Sequence, residues 1–482
     1  MANKNGVIYN LIWKFAERIT AQVVTLVVSI VLARMLEPSH YGVISMVTIF
    51  ITIANVFVSD GFGSALIQKK NADAIDFSSV LYFNFIFSII LYGILFVCAP
   101  LISRFFGNGY EILTPVTRVL GLRLILTSIN SVQQAYVSKK MIFKKFFWST
   151  LFGTVVSGIV GIVMAYLGFG VWALVAQYLT NTTIDTLVLQ IVLNKWPIKA
   201  FSWKRLKALI NYGYKILLTS LTITGYQELR ALIIGKLYSS SDLAFYDKAK
   251  QFPNLIVSNI NTSISAVLFP KLAQEQDEIE RVKYITRQSV RFSSYIMSPI
   301  MLGLAAVASP FVSIILTDKW LPCVHLLQIF CFFYLFQPIQ TANTQAIKAL
   351  GKSDLALKLE IIRDVIQLGS LIFVMRSGVD AIVISMAVLS FIFIFINGYP
   401  NIKLINYTLR EQVSDFVKPL FMSIFMMIIV LLIGRLHINK VVLLLLQIVI
   451  GVITYMIISV VTNNQEFKFL VEFIFKKTNK KV

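Results

Sequence analysis

The chain returns repeatedly to apolar runs of the length a helix needs to cross a bilayer, about 20 residues for roughly 30 Å of hydrocarbon. There are about fourteen such runs, the first over residues 13–35 and the last over residues 441–461. Inside lipid every backbone polar group must be satisfied internally, and long unbroken runs meet that demand as helices. The expected fold is an all-α polytopic membrane protein. Hydrophobic residues make up 57% of the 482 and charged residues only 14%, too few charges to cover a water-soluble surface. The first run continues to about Met35, too long for the apolar core of a cleaved leader, and reads as a retained span.

The formal net charge is +21, which raises the question of a nucleic-acid partner. The basic residues, however, sit in short clusters between the apolar runs, the pattern of loops on the cytoplasmic side of a membrane. No nucleic-acid partner is expected. Even-numbered connections hold Lys69 and Lys70, then Lys139, Lys140, Lys144 and Lys145, then Lys199, Lys204 and Arg205. Further along come Lys271, Arg281 and Lys283, then Lys348 and Lys352, then Lys403 and Arg410, and the chain ends in KKTNKKV. Odd-numbered connections hold little beyond Arg104, Lys236, Lys319, Arg376, Arg435 and Lys440. The asymmetry predicts an even number of spans with both termini in the cytoplasm.

The longest polar stretch, residues 271–291, reads as an interfacial helix or a cytosolic loop. No connection is long enough for a separate catalytic domain, which argues against a membrane-embedded polysaccharide polymerase or ligase. Cys98, Cys323 and Cys331 have no metal-ligand spacing, His40, His325 and His437 are scattered, and there is no P-loop. Neither an enzyme nor a bound cofactor is expected.

The segment RMLEPSHYG, beginning at Arg34, bridges the first two runs, and KLYSSSDLA, beginning at Lys236, bridges the seventh and eighth. The offset, about two hundred residues, carries through to Lys69 and Lys271. Both copies enter the membrane from the same side, so the repeat is parallel, a plan transporters use to build a cavity between two bundles. The predicted division is an N-terminal lobe over 1–200 and a C-terminal lobe over 201–410. Residues 411–482 then hold two further spans and the basic tail.

Ionisable groups inside a span are costly and need a reason, either snorkelling at a helix end or a wet cavity. Residues three or four apart share a helix face, and several polar stripes continue for more turns than snorkelling explains. The first run carries Lys14, Glu17, Arg18 and Gln22; the fourth carries Arg123, Thr127, Asn130 and Gln134; the seventh carries Lys215, Thr219, Tyr226 and Arg230. The candidate cavity set is Lys14, Arg18, Arg123, Asn130, Gln134, Lys215, Tyr226 and Arg230. Basic members outnumber Glu17, which favours an anionic cargo, and arginine forks suit phosphate oxygens. Asp60 in the second run is either a coupling carboxylate or a local hydrogen-bond acceptor. Asp60 and Glu17 are the candidates for exchange of a proton or sodium ion. Glu360, Arg363 and Asp364 read as a structural ion network.

The segments SIVLARMLEPSHYGVISMVTIF, FVSDGFGSALIQKK, LGFGVWALVAQ, LIIGKLYSSSDLAFYDKAKQFPNL and KALGKSDLALKLEII resemble polysaccharide exporters of the multidrug/oligosaccharidyl-lipid/polysaccharide superfamily. The Wzx-type lipopolysaccharide or colanic-acid branch is the nearest in pattern. Pro38 and Gly42 match its first-copy turn, while Ala244 stands where the second copy would have glycine. The resemblance implies a MATE/MurJ-like arrangement of two pseudo-symmetric six-helix lobes plus two C-terminal helices. It also implies a flippase in the bacterial cytoplasmic membrane that carries undecaprenyl-diphosphate-linked oligosaccharide outward by ion-driven alternating access. Membrane lipids, a polysaccharide polymerase and a chain-length regulator are the partners it suggests. A small-molecule antiporter of the same superfamily is the rival, for which an acidic, aromatic cavity would be expected.

Overall fold

The computed structural model describes residues 4–193 and 198–478. The side chains of Lys14 and Asp60, and the end of the basic tail, lie outside the described residues. Every regular element among the described residues is helical. The first eight are α1 (Lys4–Met35), α2 (Pro38–Gln68), α3 (Ala74–Phe106), α4 (Leu113–Gly121), α5 (Arg123–Lys140), α6 (Phe143–Tyr166), α7 (Val171–Leu193) and α8 (Trp203–Leu237). They are followed by α9 (Ser240–Gln274), α10 (Ile279–Ala306), α11 (Ala308–Ile315), a 3-10 turn (Asp318–Cys323), α12 (Val324–Leu335) and α13 (Gln337–Ala349). The last are α14 (Ser353–Val374), α15 (Val379–Leu404), α16 (Leu409–Ile433), α17 (Lys440–Val461) and α18 (Gln465–Thr478).

Among the described residues, nine helical runs are long and apolar enough to cross a membrane, and the α10–α11 pair, bent by 70°, makes a tenth. The chain is a multi-pass membrane protein. The remaining expected passages, through α4–α5, α7, α8 and α14, fall below that apolarity because they carry Arg, Lys, Asp, Asn and Thr within the span. The set is consistent with about fourteen passages. Three passages differ from the simple expectation of one helix each. The fourth breaks at Leu122 between α4 and α5, the ninth turns at Val307, and the tenth breaks at Phe336 between α12 and α13. The polar stretch at 271–291 is neither a free loop nor a separate interfacial helix. It forms the end of α9, a short turn and the first turns of α10.

Local chemistry sets the helix ends. Asp73 caps α3 in a reciprocal capping box with Asp76, and Thr408 with Glu411 does the same for α16. Pro38 occupies the first turn of α2, where its missing N–H costs nothing.

The described residues pack as two compact units, Met1–Ala244 and Phe245–Val482. In the first, α6 packs on α7 and α1, α5 on α2, α3 and α7, and α8 on α2 and α3. Phe62, Leu66, Phe77, Val80, Val132 and Leu206 form a buried core between these helices. Both ends of α8 are tied to its neighbours. At its start, Arg205 pairs with Asp73 and lies 3.9 Å from Asp76, whose carboxylate also takes Lys69 Nζ at 2.6 Å. Beyond its end, the backbone of Ser240 crosses α2 so closely that a Cβ on Gly42 would lie 1.8 Å from the Ser240 carbonyl oxygen. The repeat glycine therefore has a steric reason in the first copy, while Ala244 is buried in the second.

In the second unit, α10 packs along α16, α12 and α13, and α15 lies against α12, α13 and α14. Tyr295, Met422, Met426, Val430 and Tyr455 form the core that joins α10, α16 and α17.

Candidate functional site

The polar stripe of α5 faces α7. Arg123 donates from Nε to Thr182 Oγ1 at 3.1 Å, and its guanidinium lies 5.5 Å from the centre of the Tyr178 ring. About two turns along α5, Asn130 Nδ2 donates to Asp185 Oδ2 at 2.9 Å, and Gln134 Nε2 donates to Asn130 Oδ1 at 2.6 Å. Ser149 of α6 donates to the Asp185 carboxylate and to its backbone carbonyl. Buried Glu17 of α1 is close enough for its charge to act on Asp185. Next to this group, Gln133 Nε2 donates to Gln190 Oε1 at 2.9 Å and to the Thr186 carbonyl at 3.3 Å. Four helices of the first unit thus meet along one polar seam.

Asp185 is the centre of that seam and was absent from the sequence-based candidates. The signal was available, because Tyr178, Thr182 and Asp185 recur at spacings of four and three in α7. Among the described residues no carboxylate hydrogen-bonds Arg123 and no cation pairs with Asp185. An unneutralised guanidinium in a span can hold an anion. A carboxylate held only by neutral donors can exchange a proton or small cation without breaking an ion pair.

Of the sequence candidates, Asn130, Gln134 and Glu17 gather around Asp185, Arg123 stands at one end of the same α5–α7 face, and Arg18 is half-buried on α1. Tyr226 and Arg230 pair on α8. Arg230 is buried, donates from Nη2 to the Tyr226 hydroxyl, and lies 4.9 Å from the ring centre. Lys215 is exposed on the same helix, fifteen residues before Arg230, a separation of about 22 Å along the axis. The Lys14 and Asp60 assignments lie outside the described side chains.

The second unit holds a separate charged cluster. Asp415, fully buried, accepts from Arg287 Nε and Nη2 at 2.8 and 3.0 Å, from Arg291 Nε at 2.6 Å and from the Tyr407 hydroxyl at 2.8 Å. Glu411, one turn earlier on α16, takes Arg287 Nη1 at 2.9 Å and Lys283 Nζ at 3.0 Å. Every carboxylate here is matched by a cation, so the cluster works as a tie between α10 and α16. The network expected on α14 is looser, with Arg363 Nη2 3.8 Å from Glu360.

Residues 31–325 match the family of polysaccharide biosynthesis proteins. The chain belongs to that family. Over 94% of both chains it is 23% identical to an uncharacterized membrane protein of the cps region in Klebsiella pneumoniae. It is also 23% identical to the teichuronic acid biosynthesis protein TuaB of Bacillus subtilis (strain 168), and there the match spans 63% of each chain. Against the lipopolysaccharide biosynthesis protein WzxC of Escherichia coli (strain K12) the identity is 21%, over 69% of this chain and 68% of that one. Among solved structures, the lipid II flippase MurJ in an inward closed conformation superposes with a TM-score of 0.75 at 15% identity, covering 96% of this chain and all of that one. An inward-facing multidrug resistance MATE family transporter gives a TM-score of 0.58 at 17% identity, covering 80% of this chain and 95% of its own. The fold is that of the MurJ flippase and the MATE transporter, and the family resemblance read from the sequence is borne out.

Proposed function

We propose that this member of the family flips a lipid-linked oligosaccharide, carried on undecaprenyl diphosphate, from the cytoplasmic to the outer leaflet of the bacterial cytoplasmic membrane. The observation that carries the reading is a span-embedded guanidinium that no carboxylate hydrogen-bonds among the described residues, Arg123 against Thr182 and Tyr178. It occurs in a chain whose relatives include a WzxC lipopolysaccharide biosynthesis protein and a succinoglycan biosynthesis transport protein, ExoT of Rhizobium meliloti (strain 1021). A diphosphate is an anion that such a group can hold, and an arginine can bind two of its oxygens at once. Arg230, stacked on Tyr226, is the second basic contact of the same reading.

Both termini are assigned to the cytoplasm by the distribution of Lys and Arg between connections. Coupling to a proton or sodium gradient is assigned to the Glu17–Asp185 pair, with Asp60 as the alternative position. A polymerase and a chain-length regulator would act on the flipped product.

The test uses cells in which this chain is the sole exporter of its polysaccharide. Arg123→Ala should leave the protein in the membrane and cause the lipid-linked intermediate to accumulate, while Arg123→Lys restores part of the export. Asp185→Asn should remove the dependence of export on an imposed ion gradient in reconstituted vesicles. Unchanged export from Arg123→Ala would refute the anion reading, and unchanged gradient dependence in Asp185→Asn would refute the coupling assignment.

A further inference from the structure

Four amide side chains of the second unit are buried together where α13, α15 and α16 meet. Asn343, Asn397, Asn401 and Gln412 are between 0% and 3% exposed. Their hydrogen bonds are incomplete. Asn401 Nδ2 donates to Asn343 Oδ1 at 2.9 Å and to the Asn343 carbonyl at 3.2 Å, and Gln412 Nε2 donates to the carbonyls of Gly398 and Tyr407, each at 2.9 Å. Among the described residues, Asn343 Nδ2, Asn397 Nδ2, Asn401 Oδ1 and Gln412 Oε1 find no partner. The neighbouring Gln340–Ser390 pair shows the contrast. Its amide donates to the Ser390 carbonyl at 2.8 Å, and the Ser390 hydroxyl passes on to the Phe333 carbonyl at 2.8 Å.

Orphaned polar atoms at this depth carry their full desolvation cost, so a cluster of four calls for a ligand. The chemistry of that ligand follows from the donor set. Two orphans are N–H donors and two are carbonyl acceptors, which suits a molecule that both gives and takes hydrogen bonds. A metal cation would meet amide N–H groups on two sides. Exchanging O and N in both Asn343 and Asn401 leaves the pair with one spare donor and one spare acceptor, as before. Buried water makes about three such bonds to otherwise unsatisfied groups.

Gln412 also stands one turn before the Asp415 ion cluster on α16. The Gln412 amide lies against the backbone of Gly398, where a Cβ would come 1.9 Å from Oε1. The Tyr407 carbonyl accepts from Gln412, and the Tyr407 hydroxyl donates to Asp415 at 2.8 Å. Asp415 in turn meets Arg287 and Arg291, whose side chains are 25% and 30% exposed. The Tyr407 ring stands between that carbonyl and the hydroxyl, so the polar contacts of Gln412 end at the Tyr407 backbone and the Asp415 ion cluster lies on the far side of the ring.

We propose that the buried amides of α13, α15 and α16 form an internal water-binding site. X-ray radiolysis of the full chain in nanodiscs tests it, because bound water generates hydroxyl radicals in place and oxidises adjacent side chains. Phe393 and Phe416 flank the amides on their own helices, four residues from Asn397 and Gln412, and both are 3% exposed. They should oxidise several-fold faster than Phe330, which is fully buried on α12. In Asn343→Leu/Asn401→Leu, if it folds, their rates should fall to that of Phe330. Rates equal to Phe330 in the parent protein overturn the proposal, whatever the variant does. So does undiminished oxidation in the folded double variant.

Discussion

Asp415→Ala offers the sharpest test of what holds α16 to the second unit. The substitution removes the acceptor of two guanidinium groups and one tyrosyl hydroxyl at once. Breaking a buried ion pair by deleting one partner costs about 3–5 kcal/mol. The lower end applies here, because Arg287 keeps Glu411 as a partner and both arginines are partly exposed and can hydrate. A loss of about 3 kcal/mol, at about 2–4 °C per kcal/mol for a domain of this size, lowers the melting temperature of the second unit by about 6–12 °C. Fully buried Trp320 is the only tryptophan of that unit, so a variant with the other five replaced by Phe reports its unfolding by intrinsic fluorescence in detergent. Asp415→Asn keeps an acceptor but loses the charge, and should fall between the parent and Asp415→Ala. Replacing Arg287, Arg291 and Asp415 together by Met, Met and Leu should recover most of the loss, since an ion cluster exchanged whole for apolar groups is close to neutral. A melting temperature within 1 °C of the parent for Asp415→Ala would refute the assignment of this cluster as the tie between α10 and α16.

Two further outcomes follow from the first unit. The hydrogen bond from Arg205 holds the Asp73 carboxyl below the usual carboxylate range. Its contribution to stability is therefore present above the unfolded value of about 3.9 and is lost as pH falls through the lower folded value. The melting-temperature gap between parent and Asp73→Asn should be open at pH 6 and close below about pH 3; a gap that persists in acid would show that Asp73 acts through something other than its charge. Gly42→Ala puts a methyl group into the Ser240 carbonyl and should cost about 1–3 kcal/mol as α2 and the start of α9 are forced apart. Gly93→Ala, at a site with open space, should be tolerated, and equal melting temperatures for the two variants would contradict the close approach.

The helical passages were legible because hydropathy acts on whole runs of about twenty residues, and no single side chain decides the outcome. The breaks went unread. Pro310 and Pro338 stand in the first turns that follow the breaks at Val307 and Phe336, the usual place of proline at a helix start, whereas Leu122 has no proline after it to announce the break there. The stripe of Arg123, Asn130 and Gln134 was legible from spacing alone. The same spacing put Lys215 and Arg230 on one face of α8, yet one is exposed and the other buried. A stripe names a face of a helix and leaves open what each part of that face meets.

The charges outside the spans show a second kind of limit. Lys283, Arg287 and Arg291 recur at intervals of four, as do Glu411 and Asp415, but their pairing joins residues 124 and 128 apart in the chain. From sequence they count only toward topology, as do Lys69 and Arg205, which the structure uses to fasten α3 to α8 through Asp73 and Asp76. Asp415, buried, and Asp185, half-buried, now separate by their surroundings. Asp415 is matched by two guanidinium groups, and protonating it would leave them uncompensated. Asp185 is held by Asn130 and Ser149, both neutral, with a second carboxylate nearby. Gaining a proton or a small cation there would break no ion pair among the described residues. That difference is the ground for assigning exchange to Asp185 in the proposed function and anchorage to Asp415, although both are single aspartates in largely apolar helices.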